Sequence, residues 1–377
     1  MSSPQRTTTF ETRQPSRRTF LHWAAAAGAA AAGAPLLAAC ADRSTAAGPG
    51  LSDVKLIHPS KDPLVLWAAT YLAEDDGYYK DEGLSVERVL LGGGPAALTG
   101  LLSGAGHVNL SAPGELLSAV GKGQQLTTLL AHTNSIPSTL VISKAFAQRV
   151  GVTADSSLEQ RQAAIGKVKD GRFGITAPGS QTDGFTRLAL KQAGLEPGRD
   201  AQIVPLQTSS NSMAALANGQ IDGFIGVPPL GQKAVLEFEA VPLLVNQLGE
   251  IEGADRLQGM TMEARTADVE ANPELYQALV SADIRALRML VENPDEAGAL
   301  LRKTRFGNFE EPLWNVTWKM VQKSWGSPYI TRESLKAWFD NGLVTGASVD
   351  EFPFDEVVDM RFVDKALAES KWSPAKQ

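Results

Sequence analysis

The sequence predicts an α/β protein of two lobes, each a mostly parallel sheet flanked by helices, followed by a helical C-terminal region. Its length of 377 residues suits two cores. From Val54 onward, short apolar runs alternate with amphipathic helical stretches, as in βαβ units. The alternation starts again after the polar stretch 153–169. This repetition predicts two similar lobes in succession.

The first lobe is predicted from four apolar runs and the helical stretches between them. The pattern predicts strands at 54–57, 84–90, 107–110 and 126–130, with helices at 64–80, 96–103 and 115–121. Residues 138–143 are predicted to cross between the lobes.

The second lobe repeats the pattern, and a helical region follows it. Strands are predicted at 172–175, 202–205 and 223–225, with helices at 181–192 and 211–218. Pro273 opens a long helix to Leu290, another follows Pro294, and Thr331 caps a third. Three tryptophans of this region are at helical spacing, which predicts core packing rather than ligand stacking. They are Trp314, Trp318 and Trp325.

Charge and cysteine content exclude several classes of function. The net charge is −7, and without residues 1–39 it becomes −10, from 31 basic and 41 acidic residues. Nucleic acid is therefore not an expected partner, because its binding surfaces concentrate positive charge. A single cysteine excludes an internal disulfide and any multi-cysteine metal site. No catalytic motif or cluster with metal-ligand spacing is present, so no enzyme activity, cofactor or metal is predicted.

The N-terminus has the features of an export signal. Arg17 and Arg18 precede an uncharged, Ala/Gly-rich stretch from Trp23 to Ala41. A basic segment, a weakly apolar segment and small residues are typical of twin-arginine signals. Residues 1–39 are therefore predicted to be a signal peptide.

The lone cysteine closes this stretch in the sequence Leu37-Ala38-Ala39-Cys40. This arrangement is that of a bacterial lipoprotein signal, in which the cysteine thiol carries the lipid and becomes the mature N-terminus. Cys40 is thus the predicted lipid anchor, and residues 40–50 a flexible tether. Two alternatives stay open: an uncleaved N-terminal membrane helix, and a buried structural cysteine.

The mature chain resembles the nitrate/sulfonate/taurine-type solute-binding proteins and their relatives that carry thiamine precursors. The resemblance spans nearly the whole mature chain, and the order and spacing of its motifs carry it. Those motifs are residues 77–86 and 92–95 in the first lobe, 178–180, 193–195, 214–216 and 219–223 in the second, and 272–274, 293–297 and 359–362 near the C-terminus.

The resemblance implies a two-lobed type II periplasmic binding protein that serves an ABC permease and ATPase complex. It would be exported, periplasmic or at the cell surface, anchored to the membrane through lipid on Cys40, and monomeric. Lobe 1 is assigned residues 51–140 and 235–377, and lobe 2 residues 141–234. One departure is His107, where the family usually has an aspartate; the corresponding Asp222 is present in lobe 2. This departure calls local hydrogen bonding in lobe 1 into question.

Ligands of open α/β sheets bind outside the carboxyl ends of the strands, near helix N-termini. The loops at those ends are rich in hydroxyl, amide and glycine groups, which suit a small oxyanion, a sulfonate, taurine or a flat heterocycle. Trp67, in the helix after one such loop, is a candidate for stacking, although core packing is the alternative. The predicted ligand-binding residues are His58, Ser60, Trp67, Gly93, Gly94, Ser111, Ala112, Thr133, Asn134, Gly179, Ser180, Gln181, Thr182, Ser209 and Asn211.

Capture of a solute between two hinged lobes is therefore the predicted function. Two alternatives stay open. One is an enzyme on the same fold, related to pyrimidine synthesis, in which His58, His107 and His132 would have roles. The other is a ligand-sensing partner of a membrane receptor.

Overall fold

Two five-stranded sheets organise the part of the chain that the computed structural model describes, residues 52–374. The predicted export signal, Cys40 and the tether lie outside these residues. The strands are β1 (Ser52–His58), β2 (Leu84–Leu90), β3 (Val108–Ser111), β4 (Leu126–Ala131), β5 (Thr139–Ile142), β6 (Arg172–Ile175), β7 (Gln202–Pro205), β8 (Gly223–Gly226), β9 (Val241–Val245) and β10 (Thr261–Arg265).

Helices surround both sheets. Short 3₁₀ turns are at Val65–Trp67, Asn246–Leu248, Ala254–Arg256 and Gln322–Ser324. The α-helices are α1 (Ala68–Asp75), α2 (Tyr78–Asp81), α3 (Gly94–Leu102), α4 (Gly114–Val120), α5 (Lys144–Val150), α6 (Leu158–Ile165), α7 (Gln181–Gln192), α8 (Ser209–Ala217), α9 (Leu230–Phe238), α10 (Thr266–Ala271), α11 (Pro273–Glu292), α12 (Pro294–Thr304), α13 (Glu311–Val321), α14 (Arg332–Asp340), α15 (Phe354–Val357) and α16 (Arg361–Ser370).

The two sheets have the same design. Lobe 1 has the order β2-β1-β3-β10-β4 and lobe 2 the order β7-β6-β8-β5-β9. In each, one strand runs against the other four: β10 pairs antiparallel with β3 and β4, and β5 with β8 and β9. The remaining neighbours, β1 with β2 and β3, and β6 with β7 and β8, are parallel. The predicted fold, two mostly parallel sheets of a type II periplasmic binding protein, is confirmed.

The chain crosses between the lobes twice, and the two crossings are hydrogen-bonded to each other. The outward crossing follows β4, and the return precedes β10. Thr133 joins them, because its Oγ1 accepts a hydrogen bond from the Met260 N–H at 2.8 Å and its carbonyl accepts one from Gln258 Nε2 at 3.0 Å. Farther along, Asn246 Nδ2 donates to the Ile136 carbonyl at 2.8 Å. These paired crossings are the chain connections between the two sheets.

The boundaries between the lobes are set by which sheet each strand joins, and not by the pattern of helices along the sequence. Strand β9 (241–245) belongs to the second sheet, although the sequence assigned everything from residue 235 to lobe 1. The reason is its antiparallel pairing with β5, a contact between segments about a hundred residues apart that no local pattern reveals. The predicted helix 64–80 is also divided, because Gly77 takes a left-handed backbone (φ 79°) between α1 and α2.

The C-terminal helices pack mainly on lobe 1. Helix α11 contacts α1, α2 and α16. A buried polar chain fixes it, since Asp283 accepts hydrogen bonds from Tyr79 Oη and pairs with His132 Nε2, each at 2.6 Å. The tryptophans at 314, 318 and 325 are buried and in contact in succession: the first pair is stacked with ring centroids 5.3 Å apart, and the second is tilted with centroids 5.1 Å apart. Their predicted core role is confirmed.

His107 of lobe 1 and Asp222 of lobe 2 accept equivalent hydrogen bonds from the backbone. The Nδ1 of His107 accepts from the Lys55 N–H at 2.9 Å, beside the start of β3. Asp222 does the same in lobe 2, where its Oδ2 accepts from the Arg172 N–H at 2.9 Å. Burial, followed by the nearby Arg265, lowers the pKa of His107, which keeps the imidazole in the neutral form that this acceptor role requires.

Substitution of His107 tests this equivalence. His107→Asp retains an acceptor for the Lys55 N–H, so we expect a free energy of unfolding close to the wild type. His107→Leu leaves that N–H without its partner and should lower the free energy of unfolding by about 1 kcal/mol. Urea denaturation of both variants at pH 7.5 measures the difference. Equal destabilisation by Asp and Leu would contradict the proposed acceptor role.

Candidate functional site

One cleft lies where the carboxyl ends of the parallel strands of both lobes meet. Loops after β1, β2 and β3 of lobe 1 face loops after β6, β7 and β8 of lobe 2, and all six contribute. The open space is small, about 50 Å³. The lining consists of Pro59, Ser60, Leu64, Leu66, Trp67, Gly93, Gly94, Ser111, Ala112, Glu115, Thr176, Ser180, Gln181, Thr182, Gln207, Thr208, Ser209, Val227 and Met260.

Ten of the predicted site residues line this cleft together. They are Ser60, Trp67, Gly93, Gly94, Ser111, Ala112, Ser180, Gln181, Thr182 and Ser209. Their convergence follows from the topology, since parallel strands end at one edge of each sheet. Contact between these residues and a solute stays a prediction.

The other five predicted residues lie outside this lining, each in a structural role or a neighbouring position. Thr133 lies at the paired crossings, where it bonds to Met260, and the Asn134 side chain holds the backbone of Ser327 through two bonds of 2.7 and 2.8 Å. Asn211 is exposed and donates to the Leu206 carbonyl. Gly179 borders an adjoining cavity of about 270 Å³.

His58 is the fifth residue, and it is completely buried behind the cleft wall. Its ring lies edge-on to Trp67, with centroids 4.7 Å apart, and near Tyr71 at 6.0 Å. Burial, with a smaller contribution from Arg88, lowers the pKa of His58 to about 3, so the imidazole is neutral at physiological pH. Within residues 52–374 neither ring nitrogen has a hydrogen-bond partner.

The N-terminus of α7 supplies a cluster of hydroxyl groups. Ser180 caps the helix, and its Oγ accepts from the Asp183 N–H at 3.3 Å. Thr176, Ser180 and Thr182 hydrogen-bond one another at 2.9 to 3.0 Å. Hydroxyl groups can reorient as donors or acceptors, so this cluster can adapt to a polar solute.

The lobe 1 wall combines an aromatic ring with close backbone approach. The Trp67 indole N–H donates to the Leu110 carbonyl at 3.0 Å, and the ring is 1% exposed, so Trp67 borders the cleft mainly as a packed part of the lobe 1 wall. Gly93 caps α3 with a left-handed backbone (φ 93°), and a Cβ at Gly94 would overlap Glu115 Oε1 at 1.9 Å. Both glycines are required by this geometry.

Two carboxylates of lobe 1 meet helix N-termini of lobe 2. Asp62 accepts from the Ser210 hydroxyl at 2.5 Å and from the Ser210 N–H at 3.2 Å, at the start of α8. Glu115 accepts from the backbone N–H of Gln181, the first residue of α7. The positive ends of both helix dipoles therefore face acidic groups across the cleft.

Glu115 is the one charged residue among the nineteen that line the cleft, and none of them is lysine or arginine. Burial raises the pKa of Glu115 to about 7, although hydrogen bonds from the N–H groups of Glu115 and Gln181 offset part of the rise. Glu263 lies behind it, and burial together with the Glu115 charge holds the pKa of Glu263 well above its usual range.

Sequence reasoning missed Glu115, Thr176, Gln207 and Thr208. Glu115 follows a recognised loop, but its predicted place in the first turn of a helix is the ordinary position of an acidic residue. Gln207 has a left-handed backbone (φ 71°), which is uncommon for a residue other than glycine and has no sequence signal. Thr208 caps α8 by accepting from the Asn211 N–H, and a Thr before a helix is a usable signal.

Two classes of structure are not found in residues 52–374. No helix there is both long and apolar enough to cross a bilayer. No group of three or more His, Cys, Asp or Glu side chains there is placed to hold a metal ion.

The chain belongs to the NMT1-like family, which it matches over residues 63–301. Residues 14–34 match the signal sequence of the twin-arginine translocation pathway. The export signal predicted from Arg17 and Arg18 is thus confirmed. A comparison with curated protein sequences found no match.

Several solved structures share the fold. A protein from Bordetella bronchiseptica RB50 superposes with a TM-score of 0.71 at 20% identity, over 85% of this chain and 98% of its own. The periplasmic nitrate-binding protein NrtA from Synechocystis PCC 6803 gives 0.62 at 17% identity, over 85% and 89%.

The alkanesulfonate-binding protein SsuA from Xanthomonas axonopodis pv. citri, bound to MOPS, gives 0.62 at 16% identity, over 82% and 99%. A desulfurization enzyme, DSZB, is similar too, with a TM-score of 0.52 at 14% identity, over 85% and 99%. At these identities the likeness establishes the fold.

The charge of Glu115 should appear in the pH dependence of stability. Its pKa is raised in the folded state, so its contribution to stability is full below pH 4.5 and is lost as the pH rises through about 7. The Glu115→Gln variant lacks this loss. We therefore expect the melting temperature of the variant minus that of the wild type to be larger at pH 8 than at pH 5.

Thermal unfolding at the two pH values measures this effect, with the exposed Glu159→Gln as the control that should show no such change. A difference between wild type and Glu115→Gln that is the same at pH 5 and pH 8 would contradict the raised pKa.

Proposed function

We propose that the protein is the extracytoplasmic solute-binding component of an ABC importer. It captures a small polar solute between its lobes and delivers it to a membrane permease and ATPase. The observation that carries this proposal is the interlobe cleft, which three strand-end loops from each lobe line with hydroxyl groups, two glutamine amides and a tryptophan. The paired crossings at Thr133 and Met260 supply the hinge for opening and closing.

The size of the cleft supports a small solute in the closed arrangement. About 50 Å³ of space accommodates roughly three to five water molecules, at ~10–15 Å³ for each. A solute of a few non-hydrogen atoms fits without further opening. A flat heterocycle requires the lobes to separate slightly or the solute to extend toward the adjoining cavity that Glu115, Ser180 and Gln181 also border.

Membrane attachment is part of the proposal. The sequence Leu37-Ala38-Ala39-Cys40 follows the twin-arginine signal at the spacing of a lipoprotein signal. Lipid on Cys40 would keep the monomeric protein near the permease, while the glycine-containing segment 41–50 would let it move.

An enzyme on this fold is the second candidate, favoured by the similarity to the desulfurization enzyme. The positions of the histidines weigh against it. His58 is buried behind the wall, His107 accepts from the Lys55 N–H, and His132 pairs with Asp283. None of the three lines the cleft, so proton transfer to a solute there would need other groups.

Solute binding can be tested with a panel and two matched variants. The panel comprises sulfonates, nitrate, taurine, pyrimidines and aromatic acids, measured by thermal shift and calorimetry. At least one compound should stabilise the protein, by about 2.7 kcal/mol at a hundredfold excess over its Kd. If a folded sample is stabilised by no small solute, the proposal fails.

Ser180 and Ser157 provide the matched pair, because both cap helices and only Ser180 lines the cleft. Each change to alanine should cost about 1 kcal/mol of stability. We expect Ser180→Ala alone to weaken solute binding, by tenfold or more. Equal affinity in the two variants would place the site elsewhere.

The Cys40→Ala variant tests the anchor. We expect it to appear in the soluble extracytoplasmic fraction with unchanged solute affinity, because residue 40 precedes the fold. Membrane fractionation and calorimetry are the measurements. A variant that stays on the membrane, or that loses affinity, would contradict a lipid anchor on Cys40.

A further inference from the structure

Glu115 gives the cleft a preference for one chemical class of solute, which the hydroxyl, amide and glycine groups of its loops alone do not. Its carboxyl group is the one acidic or basic side chain in the lining, so no lining cation neutralises it when it is ionised. Behind it, Glu263 is fully buried and is held by Asn109 Nδ2 at 2.7 Å and Thr261 Oγ1 at 3.2 Å. Because burial and the Glu115 charge hold the pKa of Glu263 well above its usual range, Glu263 is a neutral acid and supplies no positive charge to Glu115.

Two polar atoms of the lining residues lack partners. Glu115 Oε2 and Gln181 Nε2 are inaccessible to solvent, and within residues 52–374 neither has a hydrogen-bond partner. One is an acceptor on lobe 1 and the other is a donor on lobe 2. A buried polar group without a partner destabilises the closed state, so a solute that pairs with both would stabilise it.

The complement of this pair is a solute that donates to Glu115 and accepts from Gln181 or from the hydroxyl cluster. An N–H group of an amidine, guanidine or amine meets the first requirement, and a positive charge adds to it. Above about pH 7, where Glu115 is ionised, an oxyanion places a second negative charge beside the carboxylate and offers it no proton. Geometry and charge thus favour the same class of solute.

Resting on the proposed function, we propose that Glu115 makes the interlobe cleft selective for solutes with N–H donor groups, above all compact amidine- or guanidine-like cations, and against oxyanions of the same shape. Glu115 acts as the acceptor for the donor group, and Gln181 lies across the cleft from it. The remaining charged groups near Glu115 are Glu263 behind it and, on α7 at the adjoining cavity, Asp183, Arg187 and Lys191.

Two pairs of compounds with matched shape test the selectivity. Guanidinium and nitrate are both planar with four non-hydrogen atoms, and acetamidinium and acetate form a second pair. Calorimetry at pH 8.5, where Glu115 is mostly ionised, uses low-millimolar concentrations that do not denature the protein. We expect at least one cation to bind tenfold or more tightly than its matched anion.

Two variants assign the effect to Glu115. Glu115→Gln keeps the size of the side chain and removes the charge, so the preference for the cation should fall at least tenfold. Asp62→Asn is the matched control, since Asp62 also joins lobe 1 to a lobe 2 helix but does not line the cleft. It should change the affinities for cation and anion by the same factor. Circular dichroism confirms that both variants are folded.

Three results would overturn the inference: neither cation binds, a matched anion binds more tightly than its cation, or Glu115→Gln leaves the ratio unchanged. These results are distinct from failure of the proposed function. A protein that binds sulfonates or nitrate in preference to these cations would retain solute capture as its function and would lose only the role of Glu115.

Discussion

The arrangement of the site depends on one electrostatic contact, made twice, between a lobe 1 carboxylate and a lobe 2 helix N-terminus. The first backbone N–H groups of a helix have no partner within the helix and bear partial positive charge. Asp62 meets them at the start of α8 and Glu115 at the start of α7. Each contact joins lobe 1 to lobe 2 across the cleft, so the protein's own groups stabilise this arrangement of the lobes.

This constraint also explains the composition of the cleft. A helix N-terminus that follows a strand is a usual place for an anion to bind, but the N-termini of α7 and α8 already face carboxylates. The lining offers hydroxyl groups, Gln181 and Trp67 instead. Gly93 and Gly94 allow the lobe 1 loop to come close, because a side chain at Gly94 would displace Glu115. Thr133 holds the two crossings together without entering the cleft.

Much of the fold was predictable, because strands such as 84–90, 172–175 and 202–205 are short apolar runs and because α7 begins at a recognisable cap. Strand β9 was not, since its place depends on long-range pairing with β5. The same distinction holds for the site. Loops at strand ends were identified from the topology. Side-chain packing, however, decides which of their residues line the cleft, as Ser180 and Trp67 do, and which do not, such as Thr133 and His58. The importance of Glu115 arises from burial, which its neighbours in the sequence do not indicate.

The central claim is that solute is held between the lobes, and a crystal structure with bound solute tests it most directly. The account predicts electron density enclosed by the loops of both lobes, with a donor atom of the solute within 3.2 Å of Glu115 Oε2, a normal hydrogen-bond distance. It also predicts contact with Ser180 or Thr182. Density in a different cavity, such as the groove bordered by Trp314 and Arg302, with the interlobe cleft unchanged, would contradict it.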